Sequence, residues 1–385
     1  MKKICLVSHQ ELPTNSGYHV AAIARNLASK DLVVIAAFPS EPETKPTIHS
    51  NLLLTSTSNL LKDLNLLKDV DLLYYWSPRL RMEKFHRDLC KLHNRDIQYF
   101  IHLEDNDLFI LKETFNLERK EIVNMILTGK GIEDPDYINL NSVGKFIANS
   151  VGITALTPEL FQVVPPGIPT FHFWPGYDTK EASKTNNKKD SDLRKELCIN
   201  PDHSIITYTG NVHSSNKSEV RSLYIAIAVL NREGYNVSLI RTGKDHVELF
   251  SIDEKQSIEN NCIELGFVDR KLMFRVQALA DILIQPGNVN IWNSFRVPSK
   301  IPEFLSSGKP TILPKTNIGL HLRDNIDAIC LDNANAISIA RSVKSLLSNR
   351  NIMKEIGDNG KSFAECNLNW STISIYLQHF INKAL

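Results

Sequence analysis

A lysine and a glutamate three residues apart, Lys300 and Glu303, stand inside the stretch SFRVPSKIPEFLSSGKPTIL, residues 294–313. A cation and a carboxylate at that spacing share one helical face. The flanking residues mark a short helix. Ser299 is placed as its N-cap, and Pro302 is tolerated in a first turn whose N–H groups have no helical partner. Gly308 followed by Pro310 ends it, which predicts a helix over 300–307. The free N–H groups and positive dipole end of such a start favour an anion, commonly a phosphate, and Lys300 adds a point charge. Glu303 can accept two hydrogen bonds from vicinal hydroxyls, as the acidic residue of dinucleotide sites does with ribose. Anion plus diol is the outline of a nucleotide. The alternative is a surface salt bridge between the two side chains, worth a fraction of a kcal/mol. On the residues alone the two readings stand level.

Side chains of this kind need elements to hold them, and short apolar runs alternating with amphipathic segments supply those elements. KICLVS (3–8), LVVIAAF (32–38), DLLYYW (71–76) and QYFIHL (98–103) read as strands. YHVAAIARNLASK (18–30) reads as a helix with Val20, Ile23, Ala24 and Leu27 on one side. The polar run TKEASKTNNKKDSD (179–192) breaks the rhythm. It then resumes with strands at 204–210, 236–243, 262–268 and 281–287 and helices at EVRSLYIAIAVLNREG and 270–279. Near-continuous apolar strands alternating with helices predict parallel sheets covered on both faces. The expected fold class is therefore α/β with two parallel-sheet domains, 1–183 and 193–367, facing a cleft between the carboxyl ends of their strands. WSTISIYLQHFINKAL closes the chain as an amphipathic helix, with Trp370, Ile373, Tyr376, Leu377 and Phe380 on one side. Neither a G-x-G-x-x-G after the first strand nor a G-x-x-x-x-G-K-[ST] is present, which disfavours dinucleotide dehydrogenases and P-loop NTPases.

RVPSKIPEFLSSGKPTIL resembles the P-x-K-x-x-E-[FY]-[LM]-A-x-G-x-P-[VT]-I segment of retaining, GT-B-fold glycosyltransferases, notably glycosyltransferase family 4. It is closest to a divergent R-x-P-S-K-x-P-E form of that segment. Further stretches follow in the family's order: ICLVSHQELPTNSGYHVAAIARNLA, GITALTPELFQ…FWPGYD, IITYTGNV and ELGFVDRKLMFRVQALADILIQPG. The resemblance implies two Rossmann-like domains, an acceptor-side one at 1–183 completed by a C-terminal helix (368–385) crossing back onto it, and a donor domain at 193–367. It implies transfer of a sugar from a nucleotide-diphosphate sugar to a glycan or lipid-linked acceptor, without a required metal or other cofactor.

Residue by residue, the resemblance places Glu303 on the ribose, Lys300 and the helix start at Ser299 on the diphosphate, and the turn at Phe267 and Val268 on the base. Gly17 and Gly210 would let the backbone approach the donor. A histidine follows the corresponding strand in the family, near the donor sugar, and that role falls to His102. The family's two glutamates flank seven residues, and the first falls at Phe295, so Asn293 and Arg296 are the candidates to replace that sugar contact. The family's diphosphate-holding Arg and Lys fall at Asn211 and Asn216, with Lys217 as stand-in. Asp105-Asn106-Asp107 spells the D-x-D of metal-dependent glycosyltransferases of another fold, a pattern common by chance. Glu104 and Asp105 are read instead as acceptor-side or loop-fixing carboxylates. A GT-B-fold sugar-nucleotide epimerase and a non-catalytic nucleotide-sugar-binding subunit remain as rival readings.

The 385 residues carry 44 Lys and Arg against 43 Asp and Glu, a net charge of +1 that gives no case for nucleic acid. Six scattered cysteines read as reduced core residues. The N-terminal apolar run is too short for a signal peptide, so a cytoplasmic protein is expected. Six basic residues in PRLRMEKFHRDLCKLHNR (78–95) suggest either a solvated helix face or peripheral contact with anionic lipid.

Overall fold

The computed structural model describes residues 2–12, 14–42, 51–179, 191–252, 254 and 261–384. Most of the polar run at 179–192, with the boundary placed inside it at 183, lies outside the described residues. The chain forms two compact units, Met1–Pro175 with Trp370–Leu385, and Gly176–Asn369.

The longer apolar runs form strands buried on both faces, whereas the edge strands at 52–56, 170–172 and 262–264 are only partly covered. In the first unit these are β1 (Lys2–Ser8), β2 (Leu32–Phe38), β3 (Leu52–Ser56), β4 (Leu72–Trp76), β5 (Tyr99–Leu103), β6 (Gly152–Ala155) and β7 (Thr170–His172). They lie in the order β3-β2-β1-β4-β5-β6-β7, all pairs parallel. The second unit holds β8 (Ser204–Thr209), β9 (Val237–Thr242), β10 (Cys262–Glu264), β11 (Ile282–Ile284), β12 (Thr311–Pro314) and β13 (Ile329–Leu331) in the order β10-β9-β8-β11-β12-β13. Both units thus begin with the doubly wound order 3-2-1-4-5, which reverses direction beside the first strand and brings the loops after neighbouring strands together at the carboxyl edge.

The helix Asn15–Leu27 buries Val20, Ile23, Ala24 and Leu27 as the spacing predicts, and it starts three residues earlier because Thr14 caps it by accepting from the Gly17 N–H. The last helix, Trp370–Ala384, belongs to the first unit: Trp370, Ile373, Leu377 and Ile381 join the core beneath β1, β2 and β4. Each fully buried apolar side chain of this size contributes roughly 1.5–3 kcal/mol. Tyr376, expected on that face, is 60% exposed. The stripe drifts along a 3.6-residue repeat, and Ile381 takes the place. Cys5 and Cys330 are core residues, whereas Cys198 and Cys366 are exposed, since each falls at the end of a helix rather than in a strand. Among the described residues no helix is long and apolar enough to cross a membrane.

Candidate functional site

The carboxyl ends of β8, β9 and β10 lead into loops that are tied to one another. Asn211 Oδ1 accepts the Lys244 N–H at 2.9 Å, and the Asn211 carbonyl accepts from Asn216 Nδ2 at 3.0 Å. Asn216 Oδ1 in turn accepts the His213 N–H at 2.7 Å. The two asparagines at the positions of the family's Arg and Lys therefore fasten the loop to itself and to its neighbour. Gly210 sits where a Cβ would collide with the Tyr208 ring, so its glycine answers packing within the sheet. Gly243, at φ 116°, donates to the Gly266 carbonyl at 2.7 Å, binding the β9 loop to the β10 turn. Phe267 at the tip of that turn is 73% exposed, with Lys244 Nζ 5.3 Å from its ring centre, and Val268 is half-buried beside it. Asp269 caps the following helix, Arg270–Leu279.

The helix expected at 300–307 forms at Lys300–Ser306 and ends on Gly308 at φ 71°. Its start differs from the expectation. Ser299 has helical backbone angles and its side chain makes no capping bond, because the Ile301 N–H is already taken by the Pro298 carbonyl. Pro302 has no N–H to offer, and the helix has seven residues, so anion binding here must rest on side chains. Lys300 is half-buried. Burial lowers its ammonium pKa, Glu303 opposes that, and Arg270 lowers it further. The ion pair is not Lys300 with Glu303: the Glu303 carboxylate accepts from Arg270 at 3.2 Å.

Arg296 donates to Ser215 Oγ at 3.2 Å and lies over the Trp292 ring. Asn293 is buried and donates its amide to the Asn288 carbonyl at 2.8 Å, so it acts as a loop brace, and Arg296 is the better placed of the two candidates. Lys217 is exposed at the first position of the helix Lys217–Arg232.

Sequence reasoning passed over His213 and His246. Their rings stack at 4.3 Å and 9°, and His213 feels the charges of His246, Arg296 and Lys300. What brings them together is strand register: Thr209 and Thr242 are paired on adjacent parallel strands, and each histidine follows its threonine by four residues.

The first unit gathers a different set at the ends of β1, β4 and β5. Glu104 is buried, accepting from Ser16 Oγ at 2.5 Å and meeting His19 Nδ1 at 3.2 Å. Burial alone would raise its pKa, but the His19 hydrogen bond and charge, His9 and Ser16 hold it well below the usual carboxylate range. These bonds tie the loop after β5 to the helix Asn15–Leu27. The Asp105 carbonyl accepts the Asp107 N–H at 3.0 Å, within the same turn. Gly17 is required because a Cβ would collide with the Glu11 carbonyl, and its N–H goes to Thr14 Oγ1 at 3.2 Å, so the close approach is by its own loop.

His102 departs most from expectation. It is fully enclosed rather than exposed at a strand end, stacked on Trp76 at 3.8 Å and near-parallel to Phe173 at 5.0 Å. Its Nδ1 pairs with Thr154 Oγ1 at 2.7 Å, and burial pushes its pKa down to about 3. The run YFIHL is buried at every position, because β5 lies inside the sheet, so its last polar residue is sealed in with the rest. The ring is enclosed by aromatic neighbours, and its Nε2 is buried without a hydrogen-bond partner among the described residues.

Of the six basic residues at 78–95, Arg79 pairs with Asp107 at 2.9 Å, Arg81 with Asp136 at 2.5 Å, and Arg95 donates to the carbonyls of Leu67, Lys68 and Val70. Half of the cations that suggested lipid contact are therefore engaged within the fold.

No protein-family model matches the chain, and no characterised protein sequence matches it. Solved structures do. HepE from Anabaena, in complex with UDP and glucose, is similar over the whole of both chains with a TM-score of 0.68 at 12% identity. Sucrose-phosphate synthase from Thermosynechococcus elongatus reaches 0.66 at 12% identity, covering 100% of this chain and 99% of that one. A glycosyltransferase from Rickettsia africae reaches 0.66 at 12%, covering 100% and 98%. At this identity the likeness is one of fold, and the fold is the two-domain α/β arrangement of GT-B glycosyltransferases.

Proposed function

We propose that the chain is a glycosyltransferase that takes a sugar from a nucleotide-diphosphate donor and passes it to a glycan or lipid-linked acceptor in the cytoplasm, with retention of configuration and no required metal. One observation carries this reading. Within the second unit Lys244 lies against the exposed Phe267 ring and is tied to Asn211, and Asn211 is tied through Asn216 to His213. Arg296 reaches the same loop at Ser215, and the charge of Lys300 acts on His213. A flat apolar surface followed by converging cations suits a base followed by a diphosphate.

Phe267 and Val268 would receive the base. Glu303 would hold the ribose, since a carboxylate has about four acceptor positions and Arg270 leaves room for a diol. Lys300, with Arg296 and Lys217, would face the diphosphate as its charge grows on departure, which is where preorganised positive charge lowers a barrier most. Lysine with a depressed pKa on a half-buried stem is held in place, so it reorganises little as the bond breaks. The leaving phosphate itself can accept the acceptor proton, consistent with retention.

A binding-only subunit is the second reading, favoured by Asn211 and Asn216 acting as loop braces where the family carries cations. A panel of nucleotide sugars, beginning with UDP-glucose because HepE has been solved with it, tests both by thermal shift and donor turnover. Stabilisation follows RT ln(1 + [L]/Kd), about 2.7 kcal/mol at a hundredfold excess over Kd. Transfer or slow hydrolysis supports the proposal, epimerisation of the sugar reassigns the reaction, and binding without turnover selects the second reading. No stabilisation by any member of the panel overturns both.

A further inference from the structure

We propose that the groove between the helices Leu80–His93 and Val143–Ala148 is a second anion site, which takes a small phosphate monoester on Arg87, Lys91 and Lys145. The inference does not depend on the donor reading above, since it concerns the first unit and the amino edge of its sheet.

The groove follows from how the two helices are anchored. Both lead to the amino ends of β5 and β6, where Ile97, Gln98 and Val151 form its base. Ser142 Oγ donates to Glu83 at 2.7 Å and ties the helices together near their starts. Their C-caps, Asn94 and Asn149, stand at the far end. Between them lies a space of about 1000 Å³, the upper end of the ~300–1,000 Å³ typical of small-molecule pockets. Its floor is aromatic and uncharged. Tyr99 stacks on Phe146 at 4.9 Å and donates to its carbonyl at 2.7 Å. His86 pairs with Tyr75 through Nδ1 at 3.1 Å, and Cys90 Sγ lies 3.5 Å from its Nε2. Burial pushes the His86 pKa down to about 4 against the pull of Asp96, and raises that of Cys90, so neither carries charge near neutral pH.

The rim supplies the charge. Arg87 and Lys91 stand one turn apart on the long helix, and Lys145 lines the same groove from the short one. All three are exposed, and among the described residues none has a hydrogen bond or ion pair. Arg95 lines the groove too, donating to the carbonyls of Leu67, Lys68 and Val70, which leaves its charge uncancelled. The carboxylates are Glu83, already bonded to Ser142, and Asp96. Four cations against two carboxylates leave an excess of two positive charges. A phosphate monoester carries about −1.5 to −2 near pH 7 and matches that excess, whereas a carboxylate would meet half of it. Helix dipoles account for Lys91 and Lys145 in the last turns but not for Arg87 in mid-helix. A lipid surface would favour a flat basic face with apolar side chains to insert, and Leu92 is the one large apolar side chain exposed on the long helix.

Methyl-detected NMR tests the site with phenyl phosphate, titrated at constant ionic strength while the Ile97 and Val151 methyls that line the groove are followed. Saturable shifts are expected at both. Benzoate, with one negative charge, should bind more weakly, and benzyl alcohol, with none, should leave the methyls unmoved. Exposed ion pairs are individually weak, so Arg87→Gln/Lys91→Gln/Lys145→Gln should lower the phenyl phosphate affinity by about tenfold over the three.

Unmoved Ile97 and Val151 methyls, an equal response to benzoate or benzyl alcohol, or an unchanged affinity in the triple variant overturns the site. Binding of the chain to phosphatidylglycerol vesicles without a response to phenyl phosphate also overturns it, and makes the basic run a lipid-facing surface. Shifts confined to the second unit overturn it while leaving the donor reading intact. If the triple variant does not fold, the wild-type choice among phosphate, carboxylate and alcohol decides by itself.

Discussion

The two units share a strand order but finish their carboxyl edges in opposite ways. In the first, His9, Ser16, His19, His102 and Glu104 are all buried, and the carboxylate is matched to a hydroxyl and an imidazole. In the second, Arg296 and Lys300 are half-buried and His213, Lys217 and Phe267 are exposed. A buried polar group has to find its partners inside the protein, so the first set is committed to holding loops together. A site for a polyanion needs positive charge left available to solvent and ligand, which the second set provides. On the proposed function the contrast gives positioning to one edge and ligand binding to the other, and it can be broken from either side.

The largest expected effect is on the buried edge, in acid. Burial pushes His9 down to about 4 and His102 down to about 3, both below the ordinary 6.5. A histidine with a depressed folded pKa contributes its full stability above 6.5, and loses it as pH falls toward the folded value, because the unfolded chain takes the proton first. At 1.36 kcal/mol per unit, each costs on the order of 3 kcal/mol by about pH 4. Glu104, depressed below its ordinary 4.5, adds to the loss only below that pH. Hydrogen exchange, corrected for the intrinsic rate, should show β1, β4 and β5 losing protection between roughly pH 6 and 4 before β8 and β9 do. Simultaneous loss in both sheets would contradict the assignment of the first edge as dry and neutral.

On the open edge the effect is kinetic. Lys300→Ala should lower kcat by roughly 10²–10³-fold, the loss typical of one preorganised electrostatic stabiliser, with a smaller change in KM. Glu303→Gln should leave kcat nearly unchanged and raise donor KM by roughly tenfold or more, the scale of a hydrogen bond to a charged group. That increase should shrink for a 2′,3′-dideoxy donor. Normal kinetics in both variants, with less than about 1 kcal/mol lost from stability, would return Lys300 and Glu303 to an ordinary charged helix face.

Local signals carried most of the fold into the sequence. LVVIAAF is β2 at both its ends, because a strand buried on both faces must be apolar at nearly every position. Gly308 and Pro310 stopped their helix for reasons confined to those residues. What the sequence could not convey were pairings across distance. Ser16 meets Glu104 across 88 residues, and Arg270 reaches Glu303 across 33. Nothing local to PSKIPEF reveals that Arg270 rather than Lys300 is the partner. His102 looked accessible because a histidine ending an apolar run resembles one at a sheet edge. Only the strand order, with β5 flanked by β4 and β6, shows it enclosed. The histidine pair needed strand register, which a motif read along one segment does not contain.

The smallest expected effect concerns metal, and it bears on the first edge. Asp105-Asn106-Asp107 has the spacing of a metal-binding D-x-D, but the side chains of its second and third members already have structural tasks. Asn106 caps the helix Asp107–Thr114 through the Phe109 N–H at 3.0 Å, and Asp107 is buried against Arg79 at 2.9 Å. Asp105 accepts the Asp107 N–H through its carbonyl. Recruiting Asp107 to a cation would leave the Arg79 guanidinium, largely buried, without its carboxylate, a rearrangement costing about 3–5 kcal/mol by the measure of broken buried pairs. With the diphosphate proposed to lie against Lys300 and Arg296, EDTA should change the transfer rate by less than about twofold, and Asp105→Asn should do the same. An absolute requirement for manganese or magnesium, removed by Asp105→Asn, would move the chemistry to the first edge and dissolve the division of labour between the two.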